Sequence, residues 1–304
     1  LFGLMMAQGV VWYTGNFYTQ FFLERLLKVP SLDVNYLMLA VTSVSAFLYL
    51  FFGWLSDKVG RKPVMLFGIA LMLISYFPGF HLLTQAANPD LAAVQQTAPV
   101  TVVADRSQCS VQLDLTGGAQ QFGRSCDIAK GALANAGVNY TVVGGAAGQV
   151  AEVRVGADRT QPSLELSGRP PSEIRAARAQ FDAQLRAELA AAGYPTSADP
   201  ADINWPLLFG VMLTFLVAAT ALYGPLAACL VELFPTRIRY TALSVPYHIG
   251  TGFFGGFMPV TAVAMVAATG NMYAGLWYPV IVTGLALLIA LVFLPETKDR
   301  DITA

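Results

Sequence analysis

Apolar residues gather in six blocks along the chain, at 1–23, 34–55, 64–83, 205–231, 242–268 and 272–295. The blocks at 34–55 and 64–83 hold no Lys, Arg, Asp or Glu. At about 1.5 Å of rise per residue, a helix of such length crosses a hydrocarbon core roughly 30 Å thick. Between the third and fourth blocks, residues 84–203 read as ordinary soluble sequence with charges spread throughout. The pattern predicts an all-α membrane protein of six transmembrane helices with one small α+β domain inserted. It divides the chain into 1–83, with three spans; 84–203, the insertion; and 204–304, with three more spans and a tail.

Within the insertion, short β-rich runs predict strands at 99–104, 110–115, 138–143 and 150–155. Ser125 predicts an N-cap for a helix that ends at Gly137. Pro171-Ser172-Glu173 opens a second helix, and Gly193 stops it. Ile174, Phe181, Leu185 and Leu189 fall at helical spacing and form its apolar face.

Polar positions inside the spans are the next signal. Gln8, Trp12, Asn16 and Gln20 recur every four residues and share a helix face, with Tyr13 beside them. Amides in hydrocarbon are costly without partners or water. Two readings follow: the stripe lines a substrate cavity, or it joins packed helices. Gly224-Pro225 predicts a kink that frees a carbonyl near Thr220 and Ala221. The fifth block carries Pro246-Tyr247-His248, then Gly250, Gly252, Gly255, Gly256 and Pro259. Interrupted membrane helices line cavities or move. Gly252-x-x-x-Gly256 would admit a neighbouring helix at close range. Tyr223, Tyr247 and His248 therefore join Gln8, Trp12, Tyr13, Asn16 and Gln20 as candidate substrate contacts. His248 could relay a proton; the expense of intramembrane charge favours a neutral, hydrogen-bonded ring.

Charge sets orientation. Lys58, Arg61, Lys62, Arg237, Arg239, Lys298 and Arg300 would share one side of the membrane, against Arg25 and Lys28 on the other. The first side is expected to be cytoplasmic. Both termini then face the cytoplasm and 84–203 is extracytoplasmic. Cys109 and Cys126 both fall in the insertion, where an oxidising compartment permits a disulfide. The alternative is two buried thiols. A net charge of −1 and the lack of a basic run point away from nucleic acid. The chain begins without Met and already inside an apolar block, so a fragment of a longer protein is expected.

Three charged patches lie on the presumed inner side: 53–63, 232–239 and 295–298. Helix ends there expose unpaired backbone groups. Arg61 could reach Glu232, with Asp57 at a helix terminus. Gly53, Asp57, Gly60, Arg61, Lys62, Glu232, Arg237 and Arg239 would then form a gate, held shut in one state and parted in another.

The run Gly53-Trp54-Leu55-Ser56-Asp57-Lys58-Val59-Gly60-Arg61-Lys62 resembles the signature loop of the major facilitator superfamily. Gln8-Gly9-Val10-Val11-Trp12-Tyr13-Thr14-Gly15-Asn16-Phe17-Tyr18 resembles the seventh span of its metabolite:proton symporters, within the sugar-porter-like branch. Residues 232–240, followed by Leu243-Ser244, are also similar to that family. The resemblance covers everything except 84–203. It implies that the six spans correspond to family spans seven to twelve, half of a twelve-helix fold, with the N-terminal six-helix half as the missing partner. It also implies that the first, fourth and part of the fifth spans face a central cavity, and that a proton is the coupling ion.

The expected function is transport of a small polar or anionic metabolite (an organic acid, amino acid or osmolyte) by alternating access, without a cofactor. The alternatives are a sugar porter, or a six-span receptor whose insertion binds a ligand. No nucleophile elbow, phosphate loop or zinc spacing is present, and His81 and His248 are the only histidines, so neither an enzyme nor a metal site is expected.

Overall fold

The computed structural model describes residues 1–110 and 123–300. The strand expected at 110–115 therefore lies, but for Ser110, outside the described residues. Among those described, five helical runs are long and apolar enough to cross a bilayer: Ser31–Val59, Arg61–Ala87, Trp205–Leu233, Arg239–Thr269 and Ala274–Phe293. The first apolar block is helical as well, but in pieces. Helix α1 (Phe2–Tyr13) runs into a π-helical turn (Thr14–Tyr18), a single α turn α2 (Thr19–Phe21) and a second π turn (Phe22–Leu26). Its amides and glycines dilute the apolar content that marks the other five. π turns insert an extra residue per turn and often mark functional positions.

Helices α3 (Ser31–Val59) and α4 (Arg61–Ala87) form a hairpin around Gly60, whose φ of 110° few other residues adopt. Helix α4 lies along α8 (Trp205–Tyr223) at backbone contact: a Cβ on Gly68 would sit 2.6 Å from the Ala218 carbonyl oxygen. Pro225 separates α8 from α9 (Leu226–Leu233), and Gly224 N–H still reaches the Thr220 carbonyl at 2.7 Å, so that carbonyl is not free. The fifth block is one continuous run. Helix α10 (Arg239–Tyr247) passes through a π segment (His248–Gly255) into α11 (Met258–Thr269), with Pro259 in the first turn of α11, where its missing N–H costs nothing. The close-packing glycines there are Gly250, against Met5, and Gly255, whose Cβ would meet the Tyr13 ring at 2.7 Å. Gly252 and Gly256 face open space instead, a correction to the expected Gly-x-x-x-Gly contact. A short 3-10 turn (Ala274–Leu276) leads into α12 (Trp277–Phe293). Large apolar side chains such as Phe47, Leu50 and Phe293 are about three-quarters exposed, at 75%, 74% and 76%, which suits contact with lipid.

The soluble block holds a four-stranded sheet of order β2-β1-β3-β4, from β1 (Val100–Ala104), β2 (Tyr140–Gly144), β3 (Glu152–Val155) and β4 (Arg159–Pro162). β1 and β2 are parallel and joined through α6 (Ser125–Asn135), while β3 is antiparallel to β1 and to β4. Helix α7 (Pro171–Ala191) buries Ile174, Phe181, Leu185 and Leu189, the face expected from spacing. Gly137 and Gly193 take positive φ at the two helix ends. Ser125 does not cap α6. Its hydroxyl accepts from Ala151 N–H at 3.1 Å, and its own N–H donates to the Glu165 carboxylate at 2.9 Å, so a distant acid serves the helix start. Cys109 and Cys126 form a disulfide.

The block meets the membrane helices at several hydrogen bonds. Helix α4 continues past His81 to Ala87, and Asn88 caps α5 (Pro89–Thr97) while donating to the Leu27 carbonyl at 3.0 Å. Where the chain returns, Asn204 N–H donates to the Ala86 carbonyl at 2.9 Å. Tyr140 N–H reaches the Gly270 carbonyl at 2.8 Å, Met272 N–H reaches Asn139 Oδ1 at 2.8 Å, and the Tyr140 hydroxyl donates to the Ala267 carbonyl.

Candidate functional site

At the α3–α4 hairpin, Gly60 brings two helix ends together and leaves the N-terminus of α4 open. Arg61, the first residue of α4, is 9% exposed. Its Nη2 lies 3.1 Å from Glu232 Oε1, at the end of α9, and its Nη1 donates to Ser56 Oγ at 2.8 Å. Asp57, one turn back on α3, completes the pairing. Thr297 donates its hydroxyl to Glu232 Oε2 at 2.6 Å, so Glu232 is held from two directions. Glu296 seals the exposed α4 N-terminus. Its carboxylate accepts Arg61 N–H at 2.8 Å and Lys62 N–H at 3.1 Å, together with its own neighbours Thr297 N–H and Lys298 N–H. Partial burial opposes the charge of Glu296, but those four donors outweigh it and hold its carboxyl below the usual range. Lys62 Nζ donates to the Leu291 carbonyl at 3.0 Å, and Lys298 Nζ to the Lys58 carbonyl at 2.9 Å. The ends of α3, α4, α9 and α12 are thereby tied at one place.

Gly53, Arg237 and Arg239 contribute none of the bonds just named. Arg239 donates through Nε to the Phe234 carbonyl at 3.1 Å, and Gly53 meets α8 near Gly224 rather than the charges. Arg237 forms no salt bridge among the described residues. Glu296 and Thr297 are the residues that sequence reasoning placed in a patch without giving them a role. The signal was there: an acid just beyond a span, facing a hairpin whose helix start has no side-chain cap of its own.

The polar stripe of the first block is divided. Gln8 is 3% exposed and accepts a hydrogen bond from Thr251 Oγ1 at 2.7 Å, which ties α1 to the π segment. Asn16 Nδ2 returns to the Trp12 carbonyl at 3.0 Å. Gln20 bridges Glu24 Oε1 at 3.0 Å and Asn35 Oδ1 at 3.3 Å. Trp12, Tyr13, Asn16 and Gln20 are all partly exposed, and the aromatic members lead into a row of rings. Trp12 interacts with the Tyr49 hydroxyl, Tyr49 stacks edge-on against Tyr223 at 5.9 Å, and the Tyr223 hydroxyl meets Tyr247. The Tyr247 ring then meets His248 edge-on at 5.6 Å, with His248 exposed. Helices α1, α3, α8 and α10 thus each contribute to one aromatic row, and Tyr49 is the member the sequence did not single out. It continues the inward-facing stripe of α3, four residues after Ser45 and three before Phe52, and that spacing is the available signal. Gln8 is a packing partner in this arrangement, buried away from the row. Among the described residues, no group of three His, Cys, Asp or Glu side chains could hold a metal ion.

Over 96 residues the chain is 32% identical to the glycine betaine/proline/ectoine/pipecolic acid transporter OusA of Dickeya dadantii (strain 3937), covering 32% of this chain and 19% of that protein. It is 31% identical over 86 residues to the citrate-proton symporter of Klebsiella pneumoniae, covering 24% and 19%. It is 33% identical over 96 residues to the inner membrane metabolite transport protein YhjE of Escherichia coli (strain K12), covering 32% and 21%. The matched stretches span about a fifth of the length of these relatives. No family model matches the chain, and no solved structure matches it. The long apolar helices suit an integral membrane protein, and each of these stretches of similarity falls on a transport protein.

Proposed function

We propose that the chain forms six transmembrane helices, equivalent to the C-terminal half of a secondary active transporter, that move a small polar or anionic metabolite by alternating access, with a proton as the coupling ion. The Arg61–Glu232–Glu296 knot carries this reading. It joins four helix ends through charges in the headgroup zone, where closing and opening can differ by a few kcal/mol (about 1–3). Fixing orientation needs only Lys and Arg, not two carboxylates held by seven donors. On this reading the aromatic row Trp12–Tyr49–Tyr223–Tyr247 lines the pathway, with Tyr13, Asn16, Gln20 and His248 beside it. The knot is cytoplasmic, and residues 84–203 are extracytoplasmic. The missing partner is a second six-helix half, which would cover the open Gly252 and Gly256 face.

Uptake of radiolabelled citrate and glycine betaine by cells making the full-length protein tests this. Tyr223→Ala and Glu232→Gln should each lower the initial rate by at least about tenfold without lowering surface expression. A protonophore should abolish the accumulated gradient. Uptake that persists at wild-type rate in both variants would remove the assignment.

A further inference from the structure

Above the aromatic row, where the soluble block meets the membrane helices, lie three neighbouring cavities of about 380, 530 and 330 Å³. The first two share Phe21, Ala134, Asn135, Asp182 and Val263, and the second and third share Arg25, Asn135 and Arg186. The floor is apolar: Phe21 from α2, and Pro259, Val263 and Ala264 from α11. From Pro259 to Ala267 the helix wall rises by roughly 12 Å toward the block. The roof is charged. Arg178, Asp182 and Arg186 recur every four residues on α7, beside the buried Phe181 and Leu185. Arg25 and Lys28 rise from below, with Glu24 beside them. Four cations thus face two carboxylates around one space.

The carboxylates do not neutralise the roof. Glu24 accepts from Gln20 at 3.0 Å. Asp182 lies between Arg178 and Arg186; burial raises its pKa against the pull of those two arginines. Arg25 and Arg186 are exposed, and among the described residues neither forms a salt bridge. Lys28 is occupied, donating to the Pro195 carbonyl at 3.1 Å, and both burial and the nearby Arg186 lower its pKa. Two guanidiniums therefore point at water above an apolar floor. A planar carboxylate matches a guanidinium fork, and a hydrophobic body matches the floor.

We propose that this space binds an organic carboxylate with a hydrophobic body, its head group on Arg25 and Arg186 and its body against Phe21 and Val263. The face that leads there is continuous with the aromatic row. The Tyr13 and Phe17 rings lie 5.4 Å apart, and Phe21 and Arg25 follow at the same four-residue interval. The site is accordingly the outer vestibule of the pathway, a role that rests on the transport reading, whereas binding itself does not.

The test uses the full chain in phosphatidylcholine nanodiscs and measures binding of radiolabelled benzoate, with benzamide and benzylamine as neutral and cationic competitors of the same shape. Benzoate should bind at least about tenfold more tightly than either competitor. Arg25→Gln with Arg186→Gln should erase that preference while leaving benzamide unaffected, and Val263→Trp should weaken benzoate and benzamide alike. Equal binding of benzoate and benzamide, or no response to the arginine pair, overturns the proposal. Displacement of benzoate by phosphatidylglycerol added to the discs would also overturn it, by showing a lipid head group as the occupant. Benzoate binding without any solute uptake would sink the transport reading alone. Uptake without benzoate binding would sink the vestibule alone.

Discussion

The Arg61–Glu232 contact can be weighed. At 3.1 Å and an effective dielectric constant near 20, the gross Coulomb attraction is about 5 kcal/mol. Desolvation of both groups, whose side chains are 10% and 11% exposed, offsets much of it. Removing one partner of a buried pair typically costs about 3–5 kcal/mol, because the other charge is stranded. In Glu232→Gln, Arg61 keeps Ser56 and the more exposed Asp57, so the cost falls to the bottom of that range or just below it: about 2–3 kcal/mol. The coupling left after subtracting Arg61→Gln in a double-mutant cycle should be about 2 kcal/mol, roughly 30-fold in an equilibrium constant. Sodium dodecyl sulfate unfolding of the full-length protein in mixed micelles measures all four variants on one scale. A cysteine placed on Val64, which is 5% exposed near the start of α4, and probed with a water-soluble maleimide reports opening of the same helix ends. A coupling below about 0.5 kcal/mol, the level of a screened surface pair, with unchanged labelling, would refute the idea that this contact holds the helices together.

Three further outcomes follow from the same contacts. Gly60→Ala should destabilise the hairpin by about 1–3 kcal/mol, because φ is 110° there and a Cβ would lie 2.5 Å from Glu296 Oε2; an unchanged melting temperature would contradict that geometry. The depressed Glu296 carboxyl makes its contribution complete above the ordinary value of 4.5 and lost as pH falls through the lower folded value, since the unfolded chain takes up the proton first; Glu296→Gln should flatten the stability profile in that acid window and nowhere else. Tyr140→Phe removes the bond to the Ala267 carbonyl and should cost about 1–2 kcal/mol, seen as faster amide exchange at Tyr140 and Met272, the residues that clamp the block to the α11 end; exchange unaltered there would mean the hydroxyl contributes nothing.

Much of this architecture could be read from residue patterns because its causes are local. Charge-free runs place the helices of 31–59 and 61–87, and the Arg61 and Glu232 pairing follows from which helix ends must share a membrane face. Ile174, Phe181, Leu185 and Leu189 declare the buried side of α7 by their spacing alone. What escaped depends on tertiary contacts. Gln8 and Trp12 lie one turn apart in α1, yet Gln8 ends buried against Thr251 of the π segment while Trp12 stays partly accessible. Gly252 and Gly256 have the spacing of a packing motif, but Gly250 and Gly255 sit on the face that meets α1. Ser125 has the residue type of a cap, yet Glu165 from forty residues onward takes the exposed N–H. Tyr49 and Glu296 gain their roles only from neighbours distant in sequence.

The meeting of Ala86 and Asn204 has a practical consequence. Joining the ends of an unstructured loop of more than a hundred residues would cost about 4 kcal/mol of chain entropy. A folded unit whose entry and exit strands already touch avoids most of that penalty, and the two helices it interrupts keep their register. The junction is therefore a natural graft point: a fluorescent or ligand-sensing domain with equally close termini could be seated there without pulling α4 from α8.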